Sequence, residues 1–587
     1  MKVKKFLAAF SLIGFSFSAM PLQASVAEKS EPKTIRVAPA APKFTDAERQ
    51  AELANRRAKV LAAMADNSML ILMSGEPKNY AGDVDFFYRQ ENNLYYLTNL
   101  KQTNATLVLT KNGGAMSEML FLPKRNPANE TWNGKMYSNE DATRISGVKT
   151  ITDAAEQKDF LQAVKDKKSF TTKSGANIAN SAETLYLLLP ENENDGDGKA
   201  EYRREIEFSK SVAGYKIENA RPIFDDLRLV KSPMEIKLLQ HAIDITTEAQ
   251  MRSMAMVSKA KYEYEVQAEV EYTFRRRNAD YWGYPSIVGC GPNATTLHYV
   301  ESQGEVKPTD LMLMDVGAEY DHYTADVTRT YPVNGKFSKE QIDIYNAVYE
   351  AQEAAAKTIK PGASFGAPSQ AAALSLANSL VKLGLITAPN ATYQVLYQGK
   401  TINVPQYRLW YMHGWGHWLG MNVHDVGSYE KPMRAGMITT NEPGIYIRED
   451  ALDYLADTPE NKAFLAKIRP AFERYKNIGV RIEDDMLVTE TGVEWMTKNL
   501  PRKISEIEAL MAQASKEMNY SAVKYEQSPT LAVLDFAGNA LFDVNANWNL
   551  TTAKNAANGK TVRRGWITSG KAIADSGLSH LEHAHGE

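Results

Sequence analysis

The chain has 587 residues, more than one hydrophobic core organises, so two or three domains are expected. Hydrophobic residues make up 44% and charged residues 24%, an ordinary globular balance. A formal net charge of -3 leaves no basic excess to hold nucleic acid and no acidic block, so nucleic acid is not expected as a partner.

Lys2, Lys4 and Lys5 precede the apolar run FLAAFSLIGFSFSAM, and small residues follow in LQASVA. Positive, apolar, then small is the order of a secretory signal, which predicts export to the periplasm or beyond the cell. Residues 1–24 form that signal, with cleavage after Ala24 or Ala27. The run is short for a bilayer span of ~20 residues, and no stable membrane span is expected after cleavage. Cys290 is the only cysteine, so no intrachain disulfide can form; it reads as a small packed residue rather than a nucleophile.

Residues 25–44, rich in Pro, Ala and Lys, read as a linker. Thr45 then stands as the N-cap of a helix with apolar residues at helical spacing. NSMLILMSG, ATLVLTKNGG, EMLFLPK and TLYLLLP are strand-like runs between helical ones, predicting an α/β domain over residues 45–224. Its aromatic segment DFFYRQENNLYYLTNL offers Tyr88 and Arg89 to a ligand, or sets them beside core aromatics. The pattern changes near residue 225. Ser232 and Pro233 signal a long amphipathic helix, with His241 inside it as a packing or surface residue. A second domain is expected over 225–515, and a carboxy-terminal extension over 516–587.

In the second domain a helix ends in Arg275, Arg276 and Arg277, read as a solvated face. YPSIVGCGPNATTLHYVES follows, a buried strand and glycine-rich turn leading to His298. LMLMDVGAEYDHYTADVTRTYPVNGKF ends one apolar strand at Asp315 and places Asp326 on the next segment. Period-two alternation sets residues 324, 326 and 328 on one face, so Asp315 and Asp326 are expected to converge from adjacent antiparallel strands. Two helices follow, the first stopped by Pro361 and Gly362; NATYQVLYQGKTINVPQYRL reads as an irregular inserted loop. HGWGHWLGMNVHDVG, taken as a helix–turn region, puts His413, His417 and His424 close together. NEPGIYI and GVRIEDDMLV then embed Glu442 and Glu483 in apolar runs, with a helical insertion over 449–478 between them. In the extension, TLAVLDFAGNALFDVNANWNLTT suggests short strands turning at Gly538 and Asn539, and His580, His583 and His585 read as a solvated tail.

Carboxylates in buried-looking sequence cost several kcal/mol unless paired or metal-bound. Asp315, Asp326, His417, Glu442 and Glu483 make an oxygen-rich ligand set suited to Mn²⁺, Co²⁺, Fe²⁺ or Zn²⁺. Four carboxylates are better balanced by two divalent ions than by one, and a dinuclear centre is a hydrolytic design built on a metal-bound hydroxide. His298, His413 and His424 remain for oxyanion stabilisation or proton transfer, and Arg481, two residues before Glu483, for orienting a carboxylate.

The five motifs IVGCGPNATTLHY, DVGAEYDHYTADVTRTYPVNGKF, HGWGHWLGMNVHDVG, NEPGIYI and VRIEDD, with FYRQENNLYYLTNL upstream, resemble the pita-bread metallopeptidases of family M24, above all the aminopeptidase P group. The resemblance covers most of residues ~45–510 and implies a creatinase-like amino-terminal α/β domain before a pita-bread catalytic domain. It implies Asp315, Asp326, His417, Glu442 and Glu483 as ligands of two ions, with Asp326 and Glu483 bridging and manganese as the metal. It further implies His298 and His424 at the scissile peptide, His413 and Arg481 as supports, and Glu442 as a proton shuttle. The implied substrates are peptides with proline second, and the implied assembly a homo-oligomer, dimer or tetramer. Prolidase, acting on Xaa-Pro dipeptides, is the near alternative, since HGWGH leans that way. A non-catalytic binding protein on the same fold is the other. The extension is left with an unassigned role, an interaction or assembly module among them.

Overall fold

The computed structural model describes residues 34–192 and 194–518, with four short strands between 532 and 562. The signal 1–24 and the three tail histidines lie outside the described residues. So do Gly538 and Asn539, although the strands on either side of them, Ala532–Leu534 and Ala540–Asp543, pair antiparallel as the sequence suggests. The chain divides into two compact units, Met1–Asn519 and Tyr520–Glu587.

In the first unit helix α1 (Asp46–Ala63) starts at Thr45, whose hydroxyl accepts from Glu48 N–H while Glu48 reaches back to the Thr45 N–H. That reciprocal capping satisfies two otherwise orphaned donors. Strand β1 (Ser68–Met73), helix α2 (Asn92–Thr98), strands β2 (Thr106–Asn112), β3 (Ala115–Leu122) and β4 (Ile151–Asp153), helix α3 (Gln157–Lys165), and strands β5 (Thr184–Leu187) and β6 (Lys216–Asn219) are the main further elements of the amino-terminal domain. The sheet runs β6-β5-β1-β2-β3-β4, with β1 fully buried at its centre. A run of six buried residues, SMLILM, is what a strand covered on both faces requires.

Helix α4 (Arg221–Leu229) carries the chain across position 225. Helix α5 (Pro233–Met256) begins at Ser232 with the same reciprocal cap, to Glu235, and buries His241 edge-on against Tyr320. Helix α6 (Glu263–Arg276) ends at the arginine run. There Arg277 departs from expectation: it turns onto the buried Glu248, at 2.6 and 2.7 Å, instead of facing solvent.

Strands β7 (Tyr281–Trp282), β8 (Ile287–Cys290), β9 (Leu311–Val316), β10 (Ala318–Tyr320), β11 (Tyr323–Thr324) and β12 (Val327–Pro332) form two three-stranded sheets, β7-β10-β11 and β8-β9-β12. Helices α7 (Lys339–Ala356) and α8 (Gly366–Leu383) follow. The stretch read as an irregular loop is instead a hairpin, β13 (Thr392–Tyr397) and β14 (Lys400–Pro405), turning at Gln398 and Gly399, both with positive φ. Strand β15 (Ile438–Asn441) and β16 (Gly444–Tyr446) precede the predicted insertion, which contains helix α9 (Pro459–Tyr475). Hairpin and insertion pack together: Tyr393 lies against Phe464, and Asn461 bonds the Gln394 backbone in both directions. Strands β17 (Gly479–Arg481), β18 (Asp484–Val488) and β19 (Val493–Trp495) and helix α10 (Ile504–Glu517) close the unit.

Residues 34–44 are not a free linker. Ile35 is buried, Thr34 bonds Glu517 on α10, and Ala38 N–H donates to Glu248 on α5. The alternating apolar positions are too few there for sequence periodicity to reveal the docking.

Candidate metal centre

Asp315 lies one residue before the end of β9, opposite Ile287 on β8 and Thr328 on β12. Asp326 sits between β11 and β12, so antiparallel pairing brings both aspartates to one place as expected. The approach depends on Gly317: a Cβ there would stand 1.8 Å from the Ala325 carbonyl oxygen. The Tyr284 hydroxyl lies 2.5 Å from Asp315 Oδ1 and 2.5 Å from Asp326 Oδ1, its one proton shared between them.

The run from His413 to Gly427 forms no helix, contrary to the helix–turn expectation. It is a loop pinned by the buried Trp415 and Trp418 and by paired bonds to Thr440. Gly416 is required for that seam, since a Cβ would meet the Thr440 carbonyl oxygen at 2.3 Å. His417 Nδ1 faces the Trp418 carbonyl at 3.1 Å. Donation there fixes the tautomer and leaves Nε2 with a lone pair, the form a metal needs. Nε2 is 3.2 Å from Asp326 Oδ2 and 3.3 Å from Glu442 Oε1. Glu442 follows β15 and accepts from Thr440 Oγ1 at 3.0 Å. Glu483, between β17 and β18, accepts from Thr328 Oγ1 at 2.6 Å. Ligand atoms of Asp326, His417 and Glu483 lie within 4.8 Å of one another.

The cluster is short of positive charge. Burial and the neighbouring Asp326, Glu442 and Asp315 charges push Glu483 well above the carboxylate range. Burial, with Asp326, raises Glu442 to about 7. Burial and Asp315 raise Asp326. Burial acts to raise Asp315 as well, but Arg481, at 2.6 Å from Oδ2, together with the hydrogen bonds from Tyr284 and Asp326 holds that carboxyl low. His417 is pushed the other way: burial opposes its charge, but Asp326 and Glu442 lift it to about 9. Carboxylates that must hold protons and an imidazole that seeks one are what a site looks like when its neutralising cations are divalent ions.

A cavity of about 560 Å³ opens over the cluster, lined by all the predicted ligands and by His298, His413, His424 and Arg481. Pro285, Ile287, Leu297, Val300 and Val423 supply its apolar wall. Among its histidines, His298 and His424 are the exposed ones. Burial and the neighbouring His417 lower His424 to about 4, so its imidazole is neutral at physiological pH. His413 is engaged on both nitrogens, Nδ1 with the Gly414 carbonyl at 2.7 Å and Nε2 with Tyr446 Oη at 2.8 Å. Arg481 donates to the same hydroxyl at 2.8 Å, so Arg481, Tyr446 and His413 form one chain. Sequence reasoning passed over Tyr284, Tyr446 and Thr328. Tyr284 opens the quoted YPSIVG run and Tyr446 stands in NEPGIYI, but nothing in tyrosine spacing distinguishes a carboxylate-binding hydroxyl from a packed ring.

The donor set fits a pair of divalent ions: four carboxylates, one imidazole in the right tautomer, and an arginine balancing the outermost aspartate. Residues 237–490 match metallopeptidase family M24, and residues 53–171 match the aminopeptidase P amino-terminal domain. The chain is 36% identical over 465 residues to the Xaa-Pro aminopeptidase of Haemophilus influenzae, covering 78% of this chain and 97% of that protein. It is 32% identical over 471 residues to the Xaa-Pro aminopeptidase of Escherichia coli, covering 79% and 98%. Aminopeptidase P from E. coli with the inhibitor Pro-Leu superposes with a TM-score of 0.65 at 30% identity, over 81% of this chain and 100% of that one. A putative aminopeptidase P from Bacillus anthracis gives 0.66 at 29%, over 80% and 100%.

Proposed function

The chain belongs to metallopeptidase family M24, in its aminopeptidase P group, and on that premise we propose that it removes the first residue of peptides whose second residue is proline. It is a metal-dependent hydrolase with the creatinase-like domain and pita-bread domain of that group. The observation that carries the reading is the convergence of Asp315, Asp326, His417, Glu442 and Glu483 beneath a cavity rimmed by His298 and His424.

Asp315, Asp326, His417, Glu442 and Glu483 would hold two divalent ions, manganese first among them given the oxygen-rich set. Bound there, such ions supply an acidified water and polarise the scissile carbonyl. The chain's own groups do the rest. His424, neutral at working pH, donates an N–H to the developing oxyanion, and His298, lining the same cavity, contributes beside it. Glu442, which lines the cavity beside His417, would take the proton of the attacking water and deliver it to the prolyl nitrogen, which leaves as a secondary amine. Tyr446 and Arg481 hold His413 and Asp315 in place.

The test is one assay: protein with added Mn²⁺, given an Xaa-Pro-Xaa tripeptide and an Xaa-Pro dipeptide side by side. Release of the first residue from the tripeptide, abolished by chelation, is expected. Preference for the dipeptide would make it a prolidase, and full activity after chelation would overturn the reading. We also propose export of the chain and assembly as a homo-oligomer. The first rests on the Lys-rich, then apolar, then small-residue start, and is tested by sequencing the amino terminus of the exported protein. The second rests on the resemblance alone, and is tested by mass in solution.

A further inference from the structure

One stretch of the amino-terminal domain, Arg89 to Asn93, grips the loop that carries His424. Arg89 Nη2 donates to the Met421 carbonyl, its Nε to Glu319 Oε2 at 2.8 Å, and its Nη1 to Asn92 Oδ1 at 2.9 Å. Asn92 in turn donates to Asn422 Oδ1 at 2.8 Å. On the far side of His424, Arg228 binds both Asn93 Oδ1 and Asp425 Oδ1. Residues 421, 422 and 425 are therefore held from outside, while His424 projects into the cavity between them.

The partners of Arg89 explain what the grip sets. Glu319 lies on β10, pairs with Thr324 on β11 two residues before Asp326, and is itself buried. A guanidinium forked between Glu319 and the Met421 carbonyl fixes the distance between the Asp326 hairpin and the His424 loop. The loop is tied to the catalytic domain by Leu419 and Met421 in the core, by Leu419 N–H on the Ile438 carbonyl and by Thr324 N–H on the Gly420 carbonyl at 2.9 Å, and Arg89 adds the tie to Glu319. His424 makes ring contact with His417, and among the described residues no hydrogen bond orients its ring.

We propose that Arg89, with Asn92, is a positioning residue for the reaction, holding His424 in register with the ligand-bearing strands. This rests on the peptidase reading above. It requires planar, two-direction donation, which lysine does not reproduce. An ångström of drift in a group that must meet an oxyanion costs on the order of 100-fold in rate.

The experiment compares Arg89→Ala, Arg89→Lys, His424→Ala and the double variant Arg89→Ala/His424→Ala. Metal content, kcat and KM on an Xaa-Pro-Xaa tripeptide, and hydrogen exchange over residues 419–425 are read together. Arg89→Ala is expected to keep its full complement of metal and lose about 10- to 100-fold in kcat/KM, chiefly in kcat. In the His424→Ala background the same change is expected to cost under about 3-fold, because the group it positions is gone. Arg89→Lys is expected to recover only part of the rate, and exchange at 419–425 to quicken in Arg89→Ala while the β1–β3 amides stay protected. An equal loss in both backgrounds, or metal loss in Arg89→Ala, or unchanged exchange at 419–425 would overturn the proposal. Should the unaltered protein cleave no Xaa-Pro bond, the function reading fails instead, and the exchange comparison still decides whether Arg89 holds the loop.

Discussion

Glu442 and Glu483 hold protons in the metal-free site that an unfolded chain would release above about pH 4.5, and His417 holds one past its ordinary 6.5. All three have raised folded-state values. Their contribution to stability is complete below those ordinary values and is lost as pH rises through about 7 for Glu442 and about 9 for His417. Asp315, held low, acts oppositely and only in acid. Divalent ions replace the protons and remove the loss. The rise in Tm on adding Mn²⁺ to chelator-treated protein is therefore expected to grow from pH 6 to pH 9; calorimetry at four pH values checks it, and a flat increment would count against the site. Two substitutions separate ligand from substrate-facing group. Glu483→Ala is expected to lose metal and rate together, and His424→Ala to keep its metal and lose turnover by about 100-fold, within the range for general acid–base and oxyanion groups, as elemental analysis beside kinetics will show. The convergence of Asp315, Asp326, Glu442 and Glu483 on one cavity was legible in the sequence because a carboxylate inside an apolar run is rare enough to demand a partner. Tyr284 was not, because a tyrosine inside an apolar run is ordinary until its hydroxyl is seen beside two aspartates.

Strands deliver these groups, and the element that joins Asp315 to Asp326 has almost no slack. Gly317 lies between β9 and β10 against the backbone of Ala325, the residue before Asp326. Gly317→Ala drives a methyl group between the two ligand-bearing segments, and neither can retreat without moving its aspartate. Metal affinity is expected to fall by at least about 10-fold while the far sheet of the amino-terminal domain is untouched; titration calorimetry against Mn²⁺ would read it. An affinity equal to that of the unaltered chain would mean the strands yield elsewhere. A continuous apolar run revealed the Asp315 strand, and both aspartate strands are buried along their whole length. The β13–β14 hairpin escaped because its apolar face, Tyr393 and Val395 opposite Val404 and Ile402, is short and only partly covered, while most of its other residues are exposed. Its turn residues, Gln398 and Gly399, were the remaining sign. The 413–427 loop misled for the opposite reason: its apolar tryptophans are buried one by one among neighbouring elements, not along a helical stripe.

A boundary near residue 225 suggests two bodies free to move, but packing joins them within the first unit. One continuous hydrophobic cluster takes Val60, Leu70, Leu94, Leu107 and Leu109 from the amino-terminal domain and Leu238, Leu239, Ile243, Leu419 and Ile438 from the catalytic one. Interfaces between independent domains are more polar than this, and relative motion is expected only where the apolar seam is small. Each fully buried aliphatic side chain contributes about 1.5–3 kcal/mol relative to exposure. Opening the seam while both halves stay folded would expose several of them at once, a cost comparable to the whole stability of a typical domain. The two domains are therefore expected to unfold together. Denaturant-dependent hydrogen exchange tests this amide by amide: the slowest-exchanging amides of β2, such as Leu107 and Leu109, and of α5, such as Leu239 and Ile243, should report the same unfolding free energy and the same dependence on denaturant. A second outcome, β2 opening well before α5, would show that the seam separates first. The grip of Arg89 on the His424 loop would then be broken in a partly open state, and turnover should fall at denaturant concentrations that leave α5 protected. Under joint unfolding, activity and α5 protection are lost over one range.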